Sequence, residues 1–152
     1  MNIQEFITFH DLKSENLKVF NSSEAQEFSS TDKRVTQDDI NIVEKNIGCK
    51  FPQNYKDFCI NYGGGYFGYI LILSLDEDGE WFIGNIIKRF SHFIPKDLIP
   101  FADDQAGGFY CFKVQNGEAI EDIYYIESSG SIVRCRFNDF FDFVITYAYN
   151  DV

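Results

Sequence analysis

The sequence predicts an α+β domain, a mixed and mostly antiparallel sheet packed by flanking helices, and three observations carry that expectation. Residues 36–65, TQDDINIVEKNIGCKFPQNYKDFCINYGGG, read as two short helices joined by Phe51-Pro52 and closed by a glycine run. Beyond them, apolar stretches alternate with turn signals at Asp76–Gly79, Asn116-Gly117 and Ser128–Gly130, the pattern of a strand meander. The chain has 152 residues, 45% hydrophobic and 18% aromatic, enough to fill one substantial core. Helices flanking such a meander define the α+β class. The expected unit is one domain over 1–152, with its core at 35–150 and a poorly patterned N-terminal part at 1–34.

In chain order, Ile3, Phe6, Ile7 and His10 form one stripe and predict a short helix over residues 2–10. Asp11 to Arg34 is polar and Ser-rich, expected as a short strand or turn followed by loop. Thr36 is placed to cap the next helix, with Asp38 and Asp39 at its positive end. Ile40, Val43 and Ile47 repeat along it, and Gly48 offers a left-handed exit. Phe51-Pro52 starts a second helix whose apolar face is Tyr55, Phe58, Cys59 and Tyr62, and Gly63–Gly65 stop it. Residues 69–75, YILILSL, are apolar on both faces and predict a central strand. Trp81-Phe82-Ile83 is read as its return strand, residues 86–98 as holding a short helix, and 98–102 and 109–114 as strands around the loop DDQAGG. Asn116-Gly117 predicts a hairpin into IEDIYYIE, then SIVRCRF follows, and Asn138 is placed to cap a last helix.

Charge narrows the function classes. Thirteen Lys and Arg face 24 Asp and Glu, a net −11. Such a surface gains nothing from counterion release, which argues against direct nucleic-acid binding, and anionic membranes are disfavoured likewise. A basic partner would instead be steered in. The start, MNIQEFITFH, lacks the basic and long apolar regions of a signal peptide. The four cysteines show no CxxC spacing and sit in apolar patterns, as buried groups of a cytoplasmic protein do.

Catalytic chemistry finds little footing. Cys59 or Cys111 with His92 or His10 would make a hydrolase dyad, but both cysteines fall on apolar faces where thiolates are disfavoured. DEDGE at 76–80 lacks calcium-loop spacing, and Cys and His lack metal spacing. The glycine run follows a helix, whereas a phosphate cradle precedes one. The acidic residues of the turns are more suggestive as a contact surface: Asp76, Glu77, Asp78 and Glu80 beside Trp81, the sole tryptophan, and Asp103 with Asp104. The 18% aromatic share is read chiefly as core, with some rings as candidates for a functional surface.

Four stretches resemble the SUKH superfamily of bacterial immunity proteins and fungal cell-wall assembly regulators. VTQDDINIVEKNIGCKF is similar to the family's T-x-x-D/E-I-x-x-x-E helix, and FPQNYKDFCINYGGG to its L-P-x-D-Y-K-x-F-L-x-x-x-G-G. LIPFADDQAGGFYCF is similar to I-P-F-A-x-D-G-G-G-D/N, and IYYIE, SSG and the NDFFDFV helix complete the order. Gln105, Ala106, Gly108 and Lys113 depart from that pattern. The resemblance implies Pro52, Tyr55, Phe58, Gly64, Gly65, Ile99, Pro100 and Phe101 as scaffold positions, no enzyme activity and no cofactor. It implies an immunity protein that neutralises a cognate polymorphic toxin through its basic C-terminal toxic domain, often a nuclease. A regulatory scaffold or ligand-sensing module of the same fold is the alternative, and a homodimer is left open.

Overall fold

The computed structural model describes residues 1–20 and 32–149. Among them the order is α1 (Ile3–Phe20), α2 (Gln37–Ile47), α3 (Gln53–Tyr62), β1 (Gly65–Phe67), β2 (Ile70–Ile72), α4 (Ile83–Arg89), β3 (Leu98–Asp103), β4 (Phe109–Gln115), β5 (Glu118–Ile126), β6 (Ile132–Arg134) and α5 (Phe140–Ala148). The six strands form one sheet in sequence order, antiparallel at every step. The α+β expectation therefore holds, with the parallel pairings confined to isolated bridges.

Local chemistry explains the elements that the pattern foresaw. Thr36 and Asp39 form a reciprocal capping box at α2, each side chain accepting the other's backbone N–H, at 3.2 and 2.9 Å. Gly48 leaves α2 at φ 80°, a left-handed cap. At the β4–β5 turn Asn116 and Gly117 both have positive φ, 53° and 75°, as a tight hairpin matched to strand twist requires. Pro100, which has no N–H to give a ladder, sits where β3 and β4 shift register, between Pro100 and Ala102.

Four expectations need correction. The N-terminal helix runs to Phe20 rather than ending near residue 10. The apolar stripe fades there, and Leu12 is exposed, but no Gly or Pro interrupts the chain. Most of the loop expected at 11–34 falls on residues 21–31, outside the described residues. Residues 81–83 form no return strand; Phe82 makes a single bridge with Ser74, and Ile83 begins α4. The helical spacing of Ile83 and Ile86, both buried in α4, outweighs the β preference of these residue types. β2 is limited to residues 70–72 and lies next to the β1 edge, although it is fully buried. The cap of α5 is Asp139, not Asn138; its carboxylate accepts the Asp142 N–H at 2.8 Å, while Asn138 donates its own N–H to Asp142.

The core is a phenylalanine stack between sheet and helices. Phe101 of β3 and Phe112 of β4 lie face to face at 4.1 Å. Tyr55 of α3 and Phe140 of α5 meet both with tilted or edge-on rings, and Phe143 of α5 meets Phe101 at 5.0 Å. Tyr55 also donates its hydroxyl to the Leu73 carbonyl at 2.6 Å, a buried bond that ties α3 to the chain leaving β2. Phe6 brings α1 onto this group through Phe58 and a stacked contact with Phe141 at 4.7 Å. Beyond the sheet, Phe90 and Phe93 pack on Phe109, at 4.9 and 6.4 Å. Replacing Phe112 by Ala should cost about 3–5 kcal/mol. Ile132→Ala, on an exposed strand, should cost under about 0.5 kcal/mol; comparable shifts of the urea midpoint in the two variants would refute the placement of the core.

Candidate functional site

The two acidic clusters singled out by the sequence are separate in space. Asp103 pairs with Leu71, the middle residue of β2, whereas residues 76–81 come four or more residues beyond the end of that strand. Each loop has its own internal scaffold.

Asp32 organises the loop at 76–81. It is buried, and its carboxylate accepts the Ser74 hydroxyl at 2.6 Å and the N–H groups of Glu80 and Trp81 at 3.0 and 2.9 Å. Its own N–H donates to the Gly64 carbonyl at 3.1 Å. This close meeting explains the glycines around it. A Cβ on Gly63 would stand 2.3 Å from the Asp32 carbonyl oxygen, one on Gly64 2.4 Å from the Ser74 Cβ, and one on Gly79 2.3 Å from the Asp32 carboxylate. Asp76 is also turned inward: it is buried, accepts the N–H groups of Lys33 and Asp78, and lies 3.9 Å from the Lys33 ammonium. The outward carboxylates of this loop are Glu77, Asp78 and Glu80. Trp81 is half-buried, edge-on to Tyr66 at 5.8 Å, and its buried indole N–H finds no acceptor among the described residues.

The second loop is built by its own aspartates. Asp103 accepts the Gln105 N–H at 2.6 Å, and Asp104 accepts those of Ala106 and Gly108, both at 2.7 Å. They hold Gln105 at φ 63°, a left-handed conformation unusual for a side-chain-bearing residue. The other Asp104 oxygen accepts the Tyr125 hydroxyl at 2.5 Å. Burial works to raise Asp104, but these hydrogen bonds outweigh it and hold the carboxyl below its usual range. The same bond to Asp104, with burial, pushes the Tyr125 phenol up to about 12.

Beside this loop lies an aromatic surface that the sequence did not resolve from the core. Tyr110 stacks on Tyr125 at 4.7 Å and meets Tyr147 of α5 at 5.5 Å. Tyr147 and Tyr69 are 41% and 47% exposed, unlike the buried phenylalanines beneath. The stack depends on a register shift between Phe112 and Lys113, where Glu121 and Asp122 add two residues to β5. With the register of the turn continued, Tyr110 would face Ile123 rather than Tyr125. Glu121 is used structurally, accepting the Phe140 N–H at 2.7 Å at the start of α5, and Asp122 pairs with Arg134 at 2.8 Å.

The cysteines named as candidate nucleophiles sit in unfavourable settings. Burial pushes Cys59 up to about 12 and raises Cys111 further, so neither forms a ready thiolate. His10 faces the Tyr149 hydroxyl at 2.9 Å, and His92 is exposed. Among the described residues no group of three or more His, Cys, Asp or Glu could hold a metal ion, and no helix is long and apolar enough to cross a membrane.

Replacing Asp32 by Ala should cost about 2–3 kcal/mol, because it orphans the buried Ser74 hydroxyl and the part-buried N–H groups of Glu80 and Trp81, and should speed amide exchange at Glu80 and Trp81; unchanged protection there would remove its organising role. For Asp104, a lowered carboxyl pKa means stability present above its unfolded value near 3.8 and lost as pH falls through the folded value. Asp104→Asn should therefore flatten the decline of the urea midpoint below about pH 4. Parallel acid limbs for the two proteins would exclude that bond network.

The sequence profile of the SMI1 / KNR4 family (SUKH-1) matches residues 34–146, well over half of the chain. No curated protein matches it.

Proposed function

The chain belongs to the SMI1 / KNR4 family (SUKH-1), a family of immunity proteins and related regulators, and on that premise we propose that it is a cytoplasmic immunity protein. It binds the basic toxic domain of a cognate secreted toxin, a nuclease, and covers the groove that would hold phosphates. The observation that carries this reading is the tyrosine surface at Asp103 and Asp104, whose exposed rings Tyr69 and Tyr147 lie above the core on a chain of net charge −11. Long-range attraction speeds encounter with a cationic groove, and desolvated aromatic anchors slow escape. Glu77, Asp78 and Glu80 add to the field from the other loop. Asp76, which is buried, acts only by shaping that loop.

A second reading, a regulatory or ligand-sensing module, is favoured by one feature. A cavity of about 300 Å³, lined by Ile47, Cys49, Ile87, Ile94, Leu98 and Val114, lies at the small end of ligand-binding clefts. A toxin-like reading frame beside the gene supports protection, and its absence supports sensing.

Co-expression with the toxin domain encoded alongside should keep cells alive and co-purify the two proteins. Reversing Glu77, Asp78 and Glu80 together, or Asp103 alone, should lower the association rate roughly tenfold and reduce its dependence on salt. Reversals at both loops that leave rate and survival intact would overturn the electrostatic part.

A further inference from the structure

We propose that the small cavity between Tyr69, Tyr147 and Asp103 receives one cationic side chain of the protein partner, an arginine guanidinium. This rests on reading the chain as a partner-binding protein and specifies the chemistry of its anchor. The cavity measures about 140 Å³, well below the roughly 300–1,000 Å³ of clefts that take metabolites. That space suits a single side chain. Tyr69 and Tyr147 are exposed at its rim, and Tyr110 and Phe143 lie 4.8 Å apart in its lining. Among the described residues no Lys or Arg lines it. Asp103 uses one oxygen for the Gln105 N–H, and its second takes no hydrogen bond from the described residues. Both Asp104 oxygens are already engaged.

Each alternative occupant meets a specific objection. An anion would face two carboxylates, and an apolar side chain would strip water from Asp103 without replacing its hydrogen bonds. A hard metal ion seeks six or more oxygens and would meet ring faces instead. A lysine ammonium is strongly hydrated and gives up more on entry. A guanidinium is planar, weakly hydrated and able to stack on a phenol face while donating in its own plane to a carboxylate. Burial, with a hydrogen bond to Tyr147, raises the Tyr110 phenol above its ordinary value, so that ring stays neutral. The loop needs no rearrangement, because Asp103 and Asp104 already fix its backbone.

The test titrates the intact chain with ethylguanidinium, ethylurea and butylammonium, followed by NMR of the tyrosine rings. Saturable shifts at Tyr69 and Tyr147 with ethylguanidinium, none with ethylurea and weaker ones with butylammonium are expected. Asp103→Asn, which keeps an oxygen for the Gln105 N–H, should weaken binding at least fivefold. Tyr147→Ser, which leaves the loop untouched, should do the same. Equal binding of ethylurea, tighter binding of butylammonium, or full affinity in both variants would each overturn the proposal. Protection of cells is scored separately. A folded Asp103→Asn chain that no longer binds ethylguanidinium yet still protects would discard the anchor and keep the immunity reading. Specific ethylguanidinium binding by a chain that shields no cell would support the cavity and discard that reading.

Discussion

Phe101 and Phe112, stacked at 4.1 Å on neighbouring strands, are the contact through which helices and sheet become one body. Tyr55 and Phe140 close on that pair from α3 and α5, and Phe6 extends the group to α1. The geometry is mostly edge-to-face, the arrangement that aromatic quadrupoles favour. Because the pair sits beside the irregularity at Pro100–Ala102, the same bulge that admits a proline also re-aims the residues leading into the 103–108 loop. Core and candidate site are thus linked by a few residues of β3.

The legible part of this fold was the part dictated locally. The box of Thr36 and Asp39, the left-handed exit at Gly48 and the Asn116-Gly117 turn each rest on neighbouring residues, and each stands in the structure. What could not be read depends on partners distant in sequence. Asp32 lies in a stretch with no periodicity, and its importance appears only when Ser74, Glu80 and Trp81 converge on it. The separation of the acidic loops follows from strand register, which composition does not encode. Tyr110 and Tyr125 were visible as strand residues; that they stack depends on a two-residue bulge with no sequence mark. The 81–83 segment misled because aromatic and β-branched residues suit a strand, while the burial of Ile83 and Ile86 was decided by packing.

The acidic residues divide into distinct roles. Asp32, Asp76, Asp104 and Glu121 are spent on backbone amides, converting charge into loop shape and helix capping. Glu77, Asp78 and Glu80 remain outward and contribute to the long-range field. Asp103 belongs to both groups, with one oxygen holding a turn and the other, unbonded among the described residues, at a ring-lined hollow.

Tyr147 stands one helical turn beyond Phe143, the last residue of α5 in the phenylalanine stack to touch Phe101. Load and display are therefore carried by different turns of the same helix. Lineages could exchange the outer ring for another side chain while the inner one preserves the architecture. Such a division leaves the outer face of α5 free to vary over a fixed interior.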